Sequence, residues 1–116
     1  MSVVYPKEIR ADEDDEEREL AFEYEEALAS TGAGAWVLFP NGVNGCSVEL
    51  DITAGSGYIE ATNDSLQDVK TGAAGVVGVA WPLGTITVSA QDYLFPCTAV
   101  RQVNVTGATK LKVRFQ

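Results

Sequence analysis

Two segments of the chain, residues 47–53 and 109–115, alternate apolar and polar positions without a break. Because successive side chains of a β-strand point to opposite faces, this pattern predicts two strands, each with one buried and one solvated face. Such half-buried strands are typical of antiparallel sheets. The solvated face of the second segment is basic, and its members are Lys110, Lys112 and Arg114.

Between residues 34 and 116, short apolar runs alternate with turn signals that contain Gly, Pro or Asn. Strands spaced by about 8–12 residues predict an all-β domain, a small antiparallel β-sandwich or barrel of about seven strands. Residues 97–105 and 109–115 are expected to form the closing hairpin of this domain. Thr106-Gly107-Ala108 would be the hairpin turn.

Residues 1–33 differ in composition and are predicted to form an acidic N-terminal arm before the β-domain at 34–116. A helix is expected over about residues 12–30, with Asp12 as its N-cap. Leu20, Tyr24 and Leu28 would then lie on one apolar stripe that can dock on a partner. The tip of the arm, formed by Val3, Val4 and Tyr5, is a second expected docking element.

The charge of the chain is concentrated in the arm. The whole sequence has a net charge of -9, with 17 acidic and 8 basic residues. Residues 1–30 hold eleven acidic and three basic side chains, a balance of -8, so residues 31–116 carry only -1. This distribution argues against nucleic-acid binding, which needs a basic surface.

The acidic run at the start of the predicted helix is a candidate contact for a basic protein surface. Its members in this role are Asp12, Asp14, Asp15 and Glu16. A solvated helix start is the alternative. The basic face of residues 109–115 could in turn accept an acidic segment from a neighbouring subunit, or it could simply protect an edge strand from aggregation.

No combination of residues predicts catalysis, a metal site or a cofactor site. The chain has no His, which removes the most common proton shuttle and the Ser-His and Cys-His pairs. We therefore expect a protein that is not an enzyme and that needs no cofactor. No stretch approaches the roughly 18 apolar residues of a membrane span, and no basic and apolar leader opens the sequence, so synthesis in the cytosol without membrane contact is expected.

Two groups of residues leave alternatives open. Cys46 and Cys97 stand at the starts of predicted strands, so they could form a disulfide or remain two small buried thiols. Trp36 and Trp81, with Tyr58, Tyr93 and Phe95, could form a platform that stacks on sugars, or they could belong to the core. Burial of the tryptophans would favour the core.

Three stretches of the β-domain resemble small structural proteins of tailed bacteriophages. They are residues 98–109 (TAVRQVNVTGAT), residues 81–84 (WPLG) and residues 34–37 (GAWV). The resemblance covers about residues 34–116 and excludes the arm. It implies a virion component made in the host cytoplasm, namely a head decoration or cement protein that stabilises the shell.

This resemblance also implies the partners, which are the major capsid protein and further copies of the chain in a homo-oligomer, with a trimer favoured. A carbohydrate- or receptor-binding module of a tail or fibre is the alternative. An inhibitor of a host protein that acts through its acidic arm is a third possibility.

Overall fold

A computed structural model describes residues 3–9, 21–72, 75–76 and 78–116 of the chain. These residues form nine strands and one short helix, which confirms the all-β prediction. The strands are β1 (Val3–Val4), β2 (Lys7–Ile9), β3 (Ala21–Leu28), β4 (Gly32–Ala33), β5 (Trp36–Leu38), β6 (Cys46–Thr62), β7 (Val79–Ile86), β8 (Ala90–Leu94) and β9 (Ala99–Phe115). The helix is α1 (Leu66–Thr71).

All nine strands belong to one sheet, which is not clearly a sandwich. The sheet is mixed, because β1 runs parallel to β5 while the other pairs are antiparallel. Its centre is a long ribbon of β6 and β9, each of 17 residues. The ribbon is paired from Cys46 opposite Phe115 to Thr62 opposite Ala99.

The predicted hairpin at Thr106-Gly107-Ala108 is wrong, because these residues lie inside β9. Gly107 instead pairs with Gly55 of β6, and both have positive φ angles of 80° and 81°. A Cβ at Gly107 would collide with the backbone carbonyl of Ala54, and one at Gly55 with that of Thr106. Glycine is required here because the two backbones approach closely at a bend.

The register of the ribbon shifts once on each side of this bend. One extra residue, Thr53, lies in β6, and one, Val105, lies in β9. A single inserted residue exchanges the two faces of a strand. The buried positions of β9 accordingly change from even numbers such as 102 and 104 to odd numbers such as 109, 111 and 113, so the same side of the ribbon faces inward along its length.

The sheet curls so that the two ends of the ribbon share one core. One end is flanked by β3 and β8, and the other by β4, β5 and β7. The main cluster combines residues from both ends: Val37, Cys46, Val48, Leu50, Ile59, Leu94, Val100, Leu111, Val113 and Phe115. The ring of Phe39 contacts that of Phe115 edge-on at 4.8 Å between centroids. This packing leaves the other face of β3, β9, β6 and β8 open to solvent.

The helix predicted over residues 12–30 is wrong for residues 21–28, which form β3, while residues 12–20 lie outside the described part of the chain. β3 pairs with β9 over seven residues, from Phe22 opposite Phe115 to Leu28 opposite Thr109. The alternation of Phe22 and Tyr24 with Glu23 fits this ladder, because it places the aromatic rings against the main core. The division of the chain after residue 33 stays a prediction.

Candidate partner-binding surfaces

The basic stripe predicted on the last strand lies on the outer face of β9, between β3 and β6. Lys110 Nζ lies 3.3 Å from Glu25 Oε2 of β3. Lys112 Nζ lies 3.2 Å from Glu49 Oε2 and 3.3 Å from Asp51 Oδ2 of β6. Both lysines therefore form ion pairs with acidic residues of neighbouring strands in the same chain.

Glu49 lies at the centre of a cross-strand row of polar groups. The Gln91 amide donates to Glu49 Oε1 at 2.5 Å, and this bond, followed by the one from Lys112, holds the pKa of Glu49 below its usual range. The bond to Glu49, followed by that to Asp51, raises the pKa of Lys112. Each group stabilises the charged form of its partner, so the row is already electrostatically satisfied.

Arg114, the third member of the stripe, lies in the next row. It stands opposite Glu23 of β3 on one side and Ser47 of β6 on the other. It forms no ion pair with any residue in the described part of the chain. Ser47 in turn lies opposite Tyr93 of β8, and Glu23 lies opposite Lys7 of β2, so the row crosses five strands.

These two rows line an open groove of about 300 Å³ on the outer face. Its polar lining is formed by Glu23, Glu25, Ser47, Glu49, Gln91, Lys112 and Arg114. Sequence reasoning found the basic residues but missed the groove, because the neighbours of β9 in the sheet were unknown. The only sequence signal for the groove was the alternation of residues 47–53, which placed Glu49 of β6 on a solvated face.

Two aromatic side chains form a ledge beside the groove. Tyr93 is 49% exposed and Phe95 is 75% exposed, and their rings meet edge-on with centroids 6.1 Å apart. The Tyr93 hydroxyl donates to the Asn44 carbonyl at 3.2 Å, which fixes the ring. The sequence offered both residues as members of a sugar-stacking platform or of the core, and their exposure shows that they do not belong to the core.

The expected apolar tip of the arm lies on the sheet of its own chain. Val3 and Val4 pair with Trp36 and Val37 in β1, where they are half-buried. Tyr5 is 66% exposed, and Lys70 Nζ of α1 lies 5.4 Å from its ring centroid. Among the three tip residues, Tyr5 alone is largely exposed.

The other predicted arm residues divide into two groups. Tyr24 and Leu28 are half-buried on the inner face of β3, so they pack in this chain and are not displayed as a helical stripe. Desolvation, followed by the neighbouring Glu26 carboxylate, raises the pKa of Tyr24. The remaining residues, Asp12, Asp14, Asp15, Glu16 and Leu20, lie outside the described part of the chain.

A polar network inside the protein holds β3, and sequence reasoning did not find it. Glu26 turns inward and accepts hydrogen bonds from the Ala35 N–H at 3.1 Å and from Gln102 Nε2 at 2.9 Å. Gln102, which is fully buried, also donates to the Glu26 carbonyl and accepts from the Thr109 hydroxyl. Asn104 donates to the Leu28 carbonyl at 3.3 Å. These bonds fix the position of β3 on β9.

Trp36 belongs to the core, because it is only 1% exposed. The Arg101 guanidinium lies 4.3 Å from its ring centroid and forms an ion pair with Glu60 at 2.9 Å. A sugar cannot stack on this ring. The side chain of Trp81 lies outside the described part of the structure.

The disulfide considered for Cys46 and Cys97 is not formed in the structure, where both cysteines are free. Burial raises the pKa of Cys46 to about 12, with a further contribution from Cys97. Burial also raises the pKa of Cys97 to about 11. Both thiols are therefore protonated at neutral pH, and as neutral thiols they are weak nucleophiles.

Within the described ranges, no group of three or more acidic, Cys or His side chains is placed to hold a metal ion. None of the helices in these ranges has the length and apolar character that a membrane crossing requires.

No protein-family model matches the sequence, and no relative is found among curated proteins. Among solved structures, an oxalate oxidase aligns at a TM-score of 0.47 and 11% identity, over 82% of this chain and 41% of that one. A protein of Bacillus endospore appendages, which are disulfide-linked pili, aligns at a TM-score of 0.40 and 17% identity, over 83% of this chain and 88% of that one.

The chain thus spans about two fifths of the oxalate oxidase that it resembles. The expectation that the chain is not an enzyme is corrected by this likeness, because one of the similar structures is an enzyme. The second likeness is to a component of a pilus, which is a structural protein. Both TM-scores lie below 0.5, so neither likeness assigns an activity or an assembly to this chain.

Proposed function

We propose that the chain is a structural protein of a tailed-bacteriophage virion, which binds the capsid surface as a decoration or cement protein and stabilises the shell. The observation that carries this proposal is the ledge of Tyr93 and Phe95, two exposed rings on the outer face. Aromatic residues displayed on a rigid sheet are typical anchors of protein–protein contacts. The resemblance of residues 34–116 to small phage structural proteins supports the same function.

The proposed partners are the major capsid protein and further copies of the chain in a homo-oligomer, with a trimer favoured. The chain would be made in the host cytoplasm and would reside in the virion. The acidic run of residues 12–17 is the proposed electrostatic part of the grip on the capsid. Because exposed charges are screened by ions, this part of the binding should weaken as salt is raised.

The burial of Trp36 supports this function over the alternative of a carbohydrate- or receptor-binding module. Stacking on a sugar needs an accessible ring. The Trp36 ring is instead covered by Arg101 and packs in a small apolar cluster, separate from the main one, with Leu38, Val69 and Ala99.

Co-sedimentation tests the proposal. Purified full-length chain is mixed with heads of a phage that encodes it, prepared without this protein, and the pellet is analysed at increasing concentrations. We expect saturable binding at a fixed number of copies per head and greater resistance of the decorated heads to heat. Heads of an unrelated phage are the control. Equal binding to both kinds of head, or no binding, would contradict the proposal.

A further inference from the structure

On the outer face, Arg114 has no ion pair among the described residues, and the ledge of Tyr93 and Phe95 lies two strands away in the direction of β8. We propose that Arg114, Ser47 and the ledge of Tyr93 and Phe95 bind a protein segment in which a carboxylate side chain is followed closely by a large apolar side chain. The inference rests on the proposed function in one respect, namely that the segment would belong to the capsid protein.

The charges on this face indicate that the bound segment is negatively charged where it meets Arg114. Two of the three cations that β9 contributes to this face are engaged within the chain, Lys110 with Glu25 and Lys112 with Glu49. Arg114 has no ion pair among the described residues, although Glu23 stands opposite it. A guanidinium is suited to a carboxylate, which it binds through two parallel hydrogen bonds.

A basic segment is a poorer match for the same groove. Glu25 and Glu49 already bind lysines, and Glu49 also accepts from Gln91. A cation from outside would have to break these bonds. Glu23 lies on the far side of Arg114 from the ledge, so the segment must approach from β8 to avoid that carboxylate.

The spacing of the row sets the length of the recognised motif. Arg114 and Tyr93 are separated by the width of two strand spacings, or about 10 Å, with Ser47 between them. A carboxylate above Ser47 would accept from its hydroxyl and from the guanidinium. The residue two positions along an extended segment projects about 7 Å away on the same side, which places it over the rings.

The backbone at the ledge favours recognition by side chains over the addition of a strand. The Tyr93 N–H donates to the Asp92 carboxylate at 2.7 Å. Among the described residues β8 pairs only with β6, and a strand added to its other edge would have to displace this side chain to use that donor.

Peptide titration tests the site without a phage particle. Full-length chain labelled with ¹⁵N is titrated with the peptide acetyl-GESFG-amide and with acetyl-GKSFG-amide, in which lysine replaces the carboxylate. We expect chemical-shift changes centred on Ser47, Tyr93, Phe95 and Arg114, and at least fivefold weaker binding of the lysine peptide. Arg114→Gln should weaken the acidic peptide about fivefold.

Lys110→Gln is the matched control, because it removes a cation from the same face of the same strand that is already bound to Glu25. It should leave peptide affinity within twofold of the native value. Equal affinity for the two peptides, no shift changes at millimolar peptide, or equal losses in the two variants would overturn the site. Circular dichroism of each variant confirms that it is folded.

The head-binding assay separates this inference from the proposed function. Weaker head binding by both Arg114→Gln and Phe95→Ser would support the site. Head binding that neither variant weakens would overturn the site and leave the proposed function standing. Selective peptide binding without any head binding would support the site and would show that the capsid protein is not its partner.

Discussion

Replacement of the buried Gln102 by leucine is expected to destabilise the protein by about 3 kcal/mol. The side chain is fully buried, and its amide nitrogen donates to the Glu26 carbonyl at 2.8 Å and to Glu26 Oε1 at 2.9 Å. Its oxygen accepts from the Thr109 hydroxyl at 2.9 Å. Leucine has nearly the same volume but can form none of these three bonds.

The expected size follows from the three bonds. Each neutral bond contributes about 1 kcal/mol and the bond to the carboxylate about 2 kcal/mol, so their loss costs about 4 kcal/mol. The added apolar surface of leucine returns about 1 kcal/mol. Because domains of this size are stable by only about 5–15 kcal/mol, the change should be readily measured.

Urea denaturation followed by circular dichroism measures the free energy of unfolding, and a thermal melt should show a decrease of about 12 °C in Tm. Gln91→Leu is the matched control, since Gln91 is exposed and makes a single bond to Glu49. It should cost less than about 1 kcal/mol. Amide exchange in the Gln102 variant should increase most in β3.

A cost below about 1 kcal/mol for Gln102→Leu, or a cost equal to that of the control, would refute this reasoning. It would mean that the apolar contacts of β3, and not its interior hydrogen bonds, fix the strand on β9. Unchanged amide exchange in β3 would lead to the same conclusion.

Three further predictions concern the arm, the bend and pH. A chain without residues 1–30 lacks β1 to β3 and should lose its thermal transition in circular dichroism, whereas a cooperative transition would support an independent domain at 34–116. Gly107→Ala should destabilise by at least about 2 kcal/mol in urea, because φ is positive and a carbonyl blocks the Cβ, and Gly75→Ala, which has open space, should change stability by less than about 1 kcal/mol. Because the folded-state pKa of Glu49 is lowered, its ionised form stabilises the protein above its ordinary pKa of 4.5, and this contribution is lost as pH falls through the lower folded-state value. Glu49→Gln should therefore be less stable than the native chain at pH 7 and should approach it in acid-range melts, and a gap that stays constant with pH would contradict this cause.

Part of the bent ribbon could be read from the sequence and part could not. The alternation in residues 47–53 and 109–115 predicted two strands with one buried face, and both lie in the ribbon with Val48, Leu50 and Leu111 buried. This feature is local, because the period of two follows from the backbone geometry of a single strand. Gly107 was visible as a break, but a turn and a bend between paired strands both need a positive φ, so the residue alone could not distinguish them.

The candidate site was predicted only as a list of charges. The sequence located Lys110, Lys112 and Arg114 on one face, and the structure keeps them there. Which lysines are neutralised depends on the strands beside β9, and these come from residues about 60 and 85 positions away. Only the sheet order shows that Arg114 lies between Glu23 and Ser47 without an ion pair among the described residues.

Residues 21–28 form a strand because of tertiary contacts, although their local sequence is also compatible with a helix. Glu23, Glu25, Ala27 and Leu28 are compatible with a helix, and the apolar residues fit a helical stripe nearly as well as a strand. The β9 ladder and the buried Gln102 offer hydrogen bonds that an isolated segment lacks. By itself the sequence determined the local alternation and the charge of each segment. Which strands pair with one another depends on contacts between distant residues. Those contacts therefore decided the bend of the ribbon, the strand conformation of β3 and the surroundings of Arg114.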